Sequence, residues 1–356
     1  MKMDDIAQLA GVSKAAVSLA MNGKPGISAD TRARILQIAE ENGYAAKTKT
    51  ALPEPALKSL TFLAFANSGI VLEQYYEQPF FRELIHHIED RCGQNGFSLI
   101  YASVEHENYE EKIKALAEEK RSDGVILLGT NLNQGQISQI SKDILVPLVV
   151  MDNCFDTLPV HFVGINNVMG AYQAGSHLCR SGHQSIGYIS SNVRIHNFDE
   201  RKRGFDAALH ENGLRVDESC IFSVAPTILS SQEALKKQLT EYLKAGGSLP
   251  SAFFCECDYI AISAIKTLGE LGYRIPEDVS VVGFDNISES RIITPELTTV
   301  HVAKERMAHL AVDLLINAIA FNDPIKTKVT VDTELVERAS SSAPKQLAPS
   351  NRTDAS

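Results

Sequence analysis

The stretch Asp5–Asn22, DIAQLAGVSKAAVSLAMN, decides how the N-terminal part of this chain folds. Ile6, Ala7, Leu9 and Ala10 follow helical spacing up to Gly11. Gly11 and Val12 suit a tight turn, and Ser13 can cap a second helix with Val17, Ala20 and Met21 on its buried stripe. Small residues at Ala7, Ala10 and Ala16 let the two helices approach closely. Helix, glycine turn and capped second helix predict a helix-turn-helix. A plain helical hairpin would share the periodicity, but a capped helix start is also a ready seat for a phosphate. A third helix is expected behind Ser28 and Asp30, with Ile35, Ile38 and Ala39 inward and Gly43 at its end.

Residues 45–58, AAKTKTALPEPALK, are basic and then proline-rich, which reads as a linker. From Leu60 the pattern changes. Continuous apolar runs recur at 60–66, 98–102, 124–128 and 147–151, then at 185–190, 221–224, 252–255 and 279–284. Amphipathic helices are expected between them over 81–94, 109–120, 168–180, 199–212, 232–245 and 258–271. Buried strands alternating with helices mean parallel sheets wound in βαβ units, with a cleft at the carboxyl ends of the strands. The expected fold is a small all-α head followed by an α/β core of two doubly wound parallel-sheet subdomains. Residues 339–356 hold few apolar side chains and read as a disordered tail.

The chain of 356 residues is long enough for two or three domains. No apolar run approaches the roughly eighteen residues of a membrane span, and the polar start does not resemble a signal peptide. A cytoplasmic protein without a membrane partner is expected. Six scattered cysteines then read as reduced thiols. Alternation would put the sulfurs of Cys255 and Cys257 on one strand face, too isolated a pair for zinc. His86 and His87 lie beside Glu83 and Asp90 on a helix, where a solvated face is the commoner reading than a metal site. Residues 1–50 hold seven Lys/Arg against five Asp/Glu, a net of +2, which leaves −12 of the total −10 on the remainder. A mildly basic head on an acidic body argues against non-specific coating of nucleic acid.

Taken in order along the chain, these motifs resemble the LacI/GalR family of bacterial regulators. The head matches D-V-A-x-x-A-G-V-S-x-x-T-V-S-x-x-L-N at Asp5–Asn22, followed by Thr31-Arg32 and Glu41-Asn42-Gly43-Tyr44. Further matches are Pro79-Phe80-Phe81, Asp123-Gly124-Val125-Ile126, Arg201-Lys202-Arg203-Gly204-Phe205, the run Ile275–Asp285 and Thr294–Val300. The resemblance implies a helix-turn-helix domain at 1–44, a hinge at 45–59 and a periplasmic-binding-protein-like core at 60–338. In that core the chain crosses between subdomains three times. It implies a first subdomain of about 60–162 plus 292–322 and a second of about 163–291 plus 323–338.

The same resemblance implies base-reading positions at Lys14, Ala15 and Leu19, with Ser13, Ser18 and Asn22 serving phosphates and caps. Many relatives carry Arg where this chain has Leu19, which leaves an apolar contact with a thymine methyl. The family's hinge helix, Pro-Asn-x-x-Ala-Arg-x-Leu, wedges its Leu into the minor groove. Here Pro53 stands in the place of that Leu and pushes Leu52 away from helical geometry. Lys47, Lys49 and Leu52 are the implied linker contacts, with a weakened wedge. The implied effector site comprises Phe80, Phe81, Asp152, Arg201, Cys257 and Asp285. Carboxylates and a planar guanidinium suit a small polar ligand, and a sugar or sugar derivative is expected. Many sugar-binding members have Asn-Asp where this chain has Cys257-Asp258, and an aromatic near Pro226.

The function expected is a homodimeric transcription regulator, a repressor of operator DNA controlled by a small effector, with no cofactor and no catalysis. A small-molecule receptor feeding a transporter lacks support from the helix-turn-helix head. An enzyme on a doubly wound fold lacks a phosphate loop or nucleophile elbow.

Overall fold

The computed structural model describes residues 2–21, 24–42, 44, 58–105, 109, 113, 122–321 and 324–345. Two compact units divide the chain at Leu57. Asn22, the linker residues Lys47, Lys49 and Leu52, and most of the helix expected at 109–120 lie outside the described residues.

The first unit holds α1 (Met3–Ala10), α2 (Lys14–Met21) and α3 (Ala29–Glu41). Gly11 stands at φ +66°, and the Gly11 and Val12 amides turn back onto the carbonyls of Gln8 and Ala7. Ser13 Oγ accepts from the Ala16 amide at 3.2 Å and Ser28 Oγ from the Thr31 amide at 3.2 Å, so both caps form as the residues suggest. Ile6, Val17 and Ile35 meet at the centre, with Ala7, Ala10, Ala20 and Ala39 around them. Leu9 departs from expectation and is 53 % exposed. It lies about 60° round α1 from Ile6, on the side opposite Ala7 and Ala10. Arg32 points its guanidinium at the carbonyls of Leu19, Ala20 and Lys24, closing the C-terminal end of α2.

The second unit has two six-stranded sheets. In chain order the strands are β1 (Ser59–Phe65), β2 (Ser98–Val104), β3 (Gly124–Leu128), β4 (Leu148–Met151), β5 (His161–Ile165), β6 (Ile186–Ser191), β7 (Ile221–Val224), β8 (Ala252–Cys255), β9 (Ser280–Asp285), β10 (Thr298–Val302), β11 (Lys328–Val331) and β12 (Thr333–Val336). The first sheet runs β2-β1-β3-β4-β5-β11 and the second β7-β6-β8-β9-β10-β12. All pairings are parallel except β10 with β12. Central strands such as β1, β3, β4, β8 and β9 are buried on both faces, which explains their unbroken apolar runs, whereas edge strands β2 and β7 are partly exposed. Helix Lys304–Phe321 packs on the first sheet, as expected.

The chain passes between the sheets after β5, after β10 and after β11. Two expected boundaries need correction. β10 pairs with β9 in the second sheet, although 292–322 was expected in the first, and β11 pairs with β5 in the first, although 323–338 was expected in the second. The expected tail also starts too early. Ser340 is fully buried, and its Oγ donates to the Val281 carbonyl at 2.6 Å and accepts from the Thr298 amide at 2.8 Å. Serine hydroxyls, not apolar groups, fasten this segment, so composition concealed it. Finally, β8 ends at Cys255, and Cys257 sits at the turn into helix Asp258–Glu270. The two sulfurs therefore do not share a strand face. All six cysteines are free. Among the described residues no helix is long and apolar enough to cross a membrane.

Candidate effector cleft and nucleic-acid interface

The carboxyl ends of the strands in both sheets face one cleft. Thr130 lies just beyond β3, Asp152 follows β4, Cys257 follows β8 and Asp285 ends β9. Phe80 and Phe81 open helix Pro79–Gln94, with Pro79 in the first turn where a missing amide costs nothing. Asn197 and Arg201 lie one turn apart on helix His196–Glu211. Together with Tyr259 these side chains line about 440 Å³ of atom-free space. All six residues expected at an effector site border it.

Arg201 is buried at the centre. Its Nε donates to Asn167 Oδ1 at 2.9 Å, and its two terminal nitrogens donate to the Glu256 carbonyl at 2.6 Å and to Asp285 Oδ1 at 2.9 Å. The guanidinium lies 3.7 Å from the centre of the Phe284 ring. Asp285 has φ +115° and Asp152 φ +58°, both in the region non-glycine residues avoid. Such backbone strain is concentrated at this cleft.

Burial pushes the Asp152 carboxyl up to about 6, against the Thr130 and Asn197 hydrogen bonds and the Arg201 charge. Burial also raises Asp285, while the charges of Arg201 and Lys304 hold it back. Asp258 is pushed up to about 8 by burial and by the nearby Asp285 carboxylate. It accepts from Thr299 Oγ1 at 2.5 Å and from the Ile287 amide at 2.9 Å. The Cys257 thiol is also raised by burial, which keeps it a neutral, weak donor.

Several residues that sequence reasoning missed tie the site together. Asn197 Nδ2 donates across the cleft to Asp152, at 2.9 Å to Oδ1 and 3.1 Å to the carbonyl. Thr130 donates to Asp152 Oδ2 at 2.5 Å. The Phe80 amide donates across the cleft to Tyr259 Oη at 3.1 Å. Buried Lys304 donates to the carbonyls of Asp285 and Asn286 and pairs with Glu83 at 2.9 Å. Asn197 was findable in principle, because it stands four residues before Arg201 on one helix face. Nothing in the local sequence marks Thr130 or Lys304. Among the described residues no group of three or more His, Cys, Asp or Glu could hold a metal ion. His86 pairs only with exposed Asp90, at 3.5 Å.

In the head, Ser13, Lys14 and Ala15 are exposed at the opening of α2, while Ser18 and Leu19 are half-buried. Leu19 leans on the following loop, its Cδ1 lying 3.2 Å from where a β-carbon on Gly26 would stand. Lys14 Nζ lies 2.8 Å from Asp4 Oδ2 on α1.

A helix-turn-helix head on a core of two parallel-sheet subdomains defines a class of DNA-binding regulators. The profile of bacterial regulatory proteins of the lacI family matches residues 2–47, and that of the periplasmic binding protein-like domain matches residues 176–341. The HTH-type transcriptional repressor PurR of Pasteurella multocida is 32 % identical over 94 % of this chain and 97 % of its own length. PurR of Aliivibrio salmonicida is 31 % identical over the same shares. Among solved structures, the transcriptional regulator CelR–cellobiose complex superposes with a TM-score of 0.69 at 24 % identity, covering 96 % of this chain and 99 % of that one. The lac repressor dimer bound to operator and the anti-inducer ONPF gives 0.69 at 22 %, with the same coverage. The chain belongs to the lacI family and is a DNA-binding transcriptional repressor.

Proposed function

We propose that this repressor acts in the cytoplasm as a homodimer whose operator affinity is set by a small effector in the cleft, and that it is not an enzyme. The observation that carries this reading is the meeting of Asp152, Arg201 and Asp285 from two subdomains around one partly apolar space. Hydrogen bonds from Asn197 to Asp152 and from Phe80 to Tyr259 cross that space. A ligand that replaces them shifts the balance between subdomain arrangements by its differential affinity. The dimeric lac repressor structure supports two heads on one operator.

The effector class we infer is an unphosphorylated sugar or sugar derivative. A ligand hydroxyl that displaces Asn197 has the Asp152 carboxylate to donate to, Asp285 is a second acceptor in the same cleft, and Phe80 and Phe81, edge to face at 5.4 Å, form an apolar wall. Arg201 is the single cation among the lining residues, and its donors are already directed at protein acceptors, which disfavours a phosphate. Relatives with cellobiose or ribose named in their structures are consistent with this class. Thermal-shift screening of the full chain against sugars, sugar phosphates and nucleobases tests it. A ligand at one hundred times its Kd stabilises by about 2.7 kcal/mol. Sugars are expected to shift the melting point and change operator affinity. A response confined to nucleobases or to phosphorylated ligands overturns the sugar assignment, and a shift retained in full by Asp285→Asn overturns the cleft.

A further inference from the structure

The ion pair between Lys14 and Asp4 sits at the start of α2. Lys14 is the first residue of α2, and in a helix-turn-helix the N-terminal residues of the second helix enter the major groove. Asp4 is in the first turn of α1. Its carboxylate is 2.8 Å from the ammonium, and the side chains are 60 % and 61 % exposed, so any phosphate reaching Lys14 meets Asp4 as well.

The charge balance of the head makes this pair consequential. Residues 2–42 carry Lys2, Lys14, Lys24, Arg32 and Arg34 against Asp4, Asp5, Asp30, Glu40 and Glu41, a formal charge of zero. Arg32 is turned onto backbone carbonyls of α2 and its following loop. Asp5 accepts from the Lys2 amide at 2.7 Å and serves the start of α1. Among the described residues Asp4 instead accepts from Lys14 Nζ at 2.8 Å.

We propose that Asp4 is a specificity-determining residue that withholds Lys14 from non-specific phosphate contact while keeping its side chain aimed at the groove. Binding to random DNA rests on delocalised contact between cations and phosphates. There the pair removes one cation and places a carboxylate against the backbone. On an operator α2 is seated by contacts to base edges, and the pair can stay intact with Lys14 already oriented. Asp4 therefore weakens random binding more than operator binding.

The test uses the full-length chain and two duplexes of equal length: one selected by the native protein from a randomised pool, and one of random sequence. Affinities are measured from 50 to 200 mM KCl. For Asp4→Asn, binding to the random duplex is expected to tighten about three- to tenfold, and its log–log salt slope to steepen by about one. Binding to the selected duplex is expected to change less than twofold. Unchanged affinity and slope on random DNA, or equal gains on both duplexes, overturn the proposal. In a Lys14→Ala background Asp4→Asn is expected to keep only the smaller part of the effect, from lost carboxylate repulsion, and to leave the salt slope unchanged; a full effect with a steepened slope there overturns the pair. Asp4→Glu keeps the charge and is expected to behave as the native chain. If it behaves as Asp4→Asn, charge is not the cause and the proposal fails.

Discussion

Arg201 directs its donors at three different partners inside the protein: Asn167, the Glu256 carbonyl and Asp285. Removing one side of such a buried pair leaves the other charge uncompensated. Arg201→Ala is therefore expected to lower core stability by about 3–5 kcal/mol, read by urea denaturation. A loss below about 1 kcal/mol would mean that water replaces the guanidinium freely. Asp285→Asn is gentler, because its carbonyl oxygen still accepts from Arg201. Asp258 offers a pH test. Its folded-state carboxyl is raised to about 8 from an ordinary 3.8, so between those values the folded chain holds a proton that the unfolded chain releases. Its contribution to stability is thus present at low pH and falls as pH rises through that window. Relative to Asp258→Asn, the native chain is expected to lose up to about 1 kcal/mol per pH unit between pH 5 and 8. A flat difference would show a carboxyl that ionises normally.

At the scale of elements, legibility followed unbroken apolar runs. β3 and β8 fall where their apolar runs were read, because a strand covered on both faces has no polar positions to blur its ends, and edge strand β7 was read from its short apolar run although alternate residues are exposed. β5, β10, β11 and β12 were missed: His161 and Gly164 interrupt β5, Thr298, Thr299 and His301 interrupt β10, and the four-residue edge strands KVTV and TELV carry too little pattern. Helix Gln134–Asp143 was missed because Ile137 and Ile140 alone mark its inner face. Phe80, Asp152 and Asp285 were legible as strand-end and helix-start residues. The Thr130–Asp152 bond was not, since it depends on two neighbouring strand ends of the first sheet, nor was the bond from the Phe80 amide to Tyr259, which depends on two subdomains meeting. Gly204, within the Arg201–Phe205 motif, owes its place to packing. A β-carbon there would stand 2.1 Å from the Val168 carbonyl oxygen, where helix His196–Glu211 crosses helix Asn167–Arg180. Backbone cannot yield as a side chain does. Gly204→Ala is expected to destabilise the core by about 3 kcal/mol or more, seen as a fall in melting temperature with both helices spread apart. Native-like melting would mean that the helices slide without cost.

At the scale of the molecule, the two units have separate hydrophobic centres. Among the described residues the head's cluster around Ile6, Val17 and Ile35 runs from Met3 to Tyr44. The clusters of the second unit begin at Leu60 and extend through both sheets. Each unit therefore contains the apolar surface its own folding needs. The acidic net charge also resides outside the first fifty residues, so DNA affinity depends on the small head. In the proposed dimer, joining two heads through the core raises the effective concentration of the second head to about the millimolar range. Residues 58–345 expressed alone are expected to fold, to sediment as a dimer at micromolar concentration and to keep the full chain's thermal response to effector, while losing operator binding. A monomer with an intact effector response would place dimer contacts in the head or linker; a fragment that fails to fold would show that the core depends on residues before Lys58.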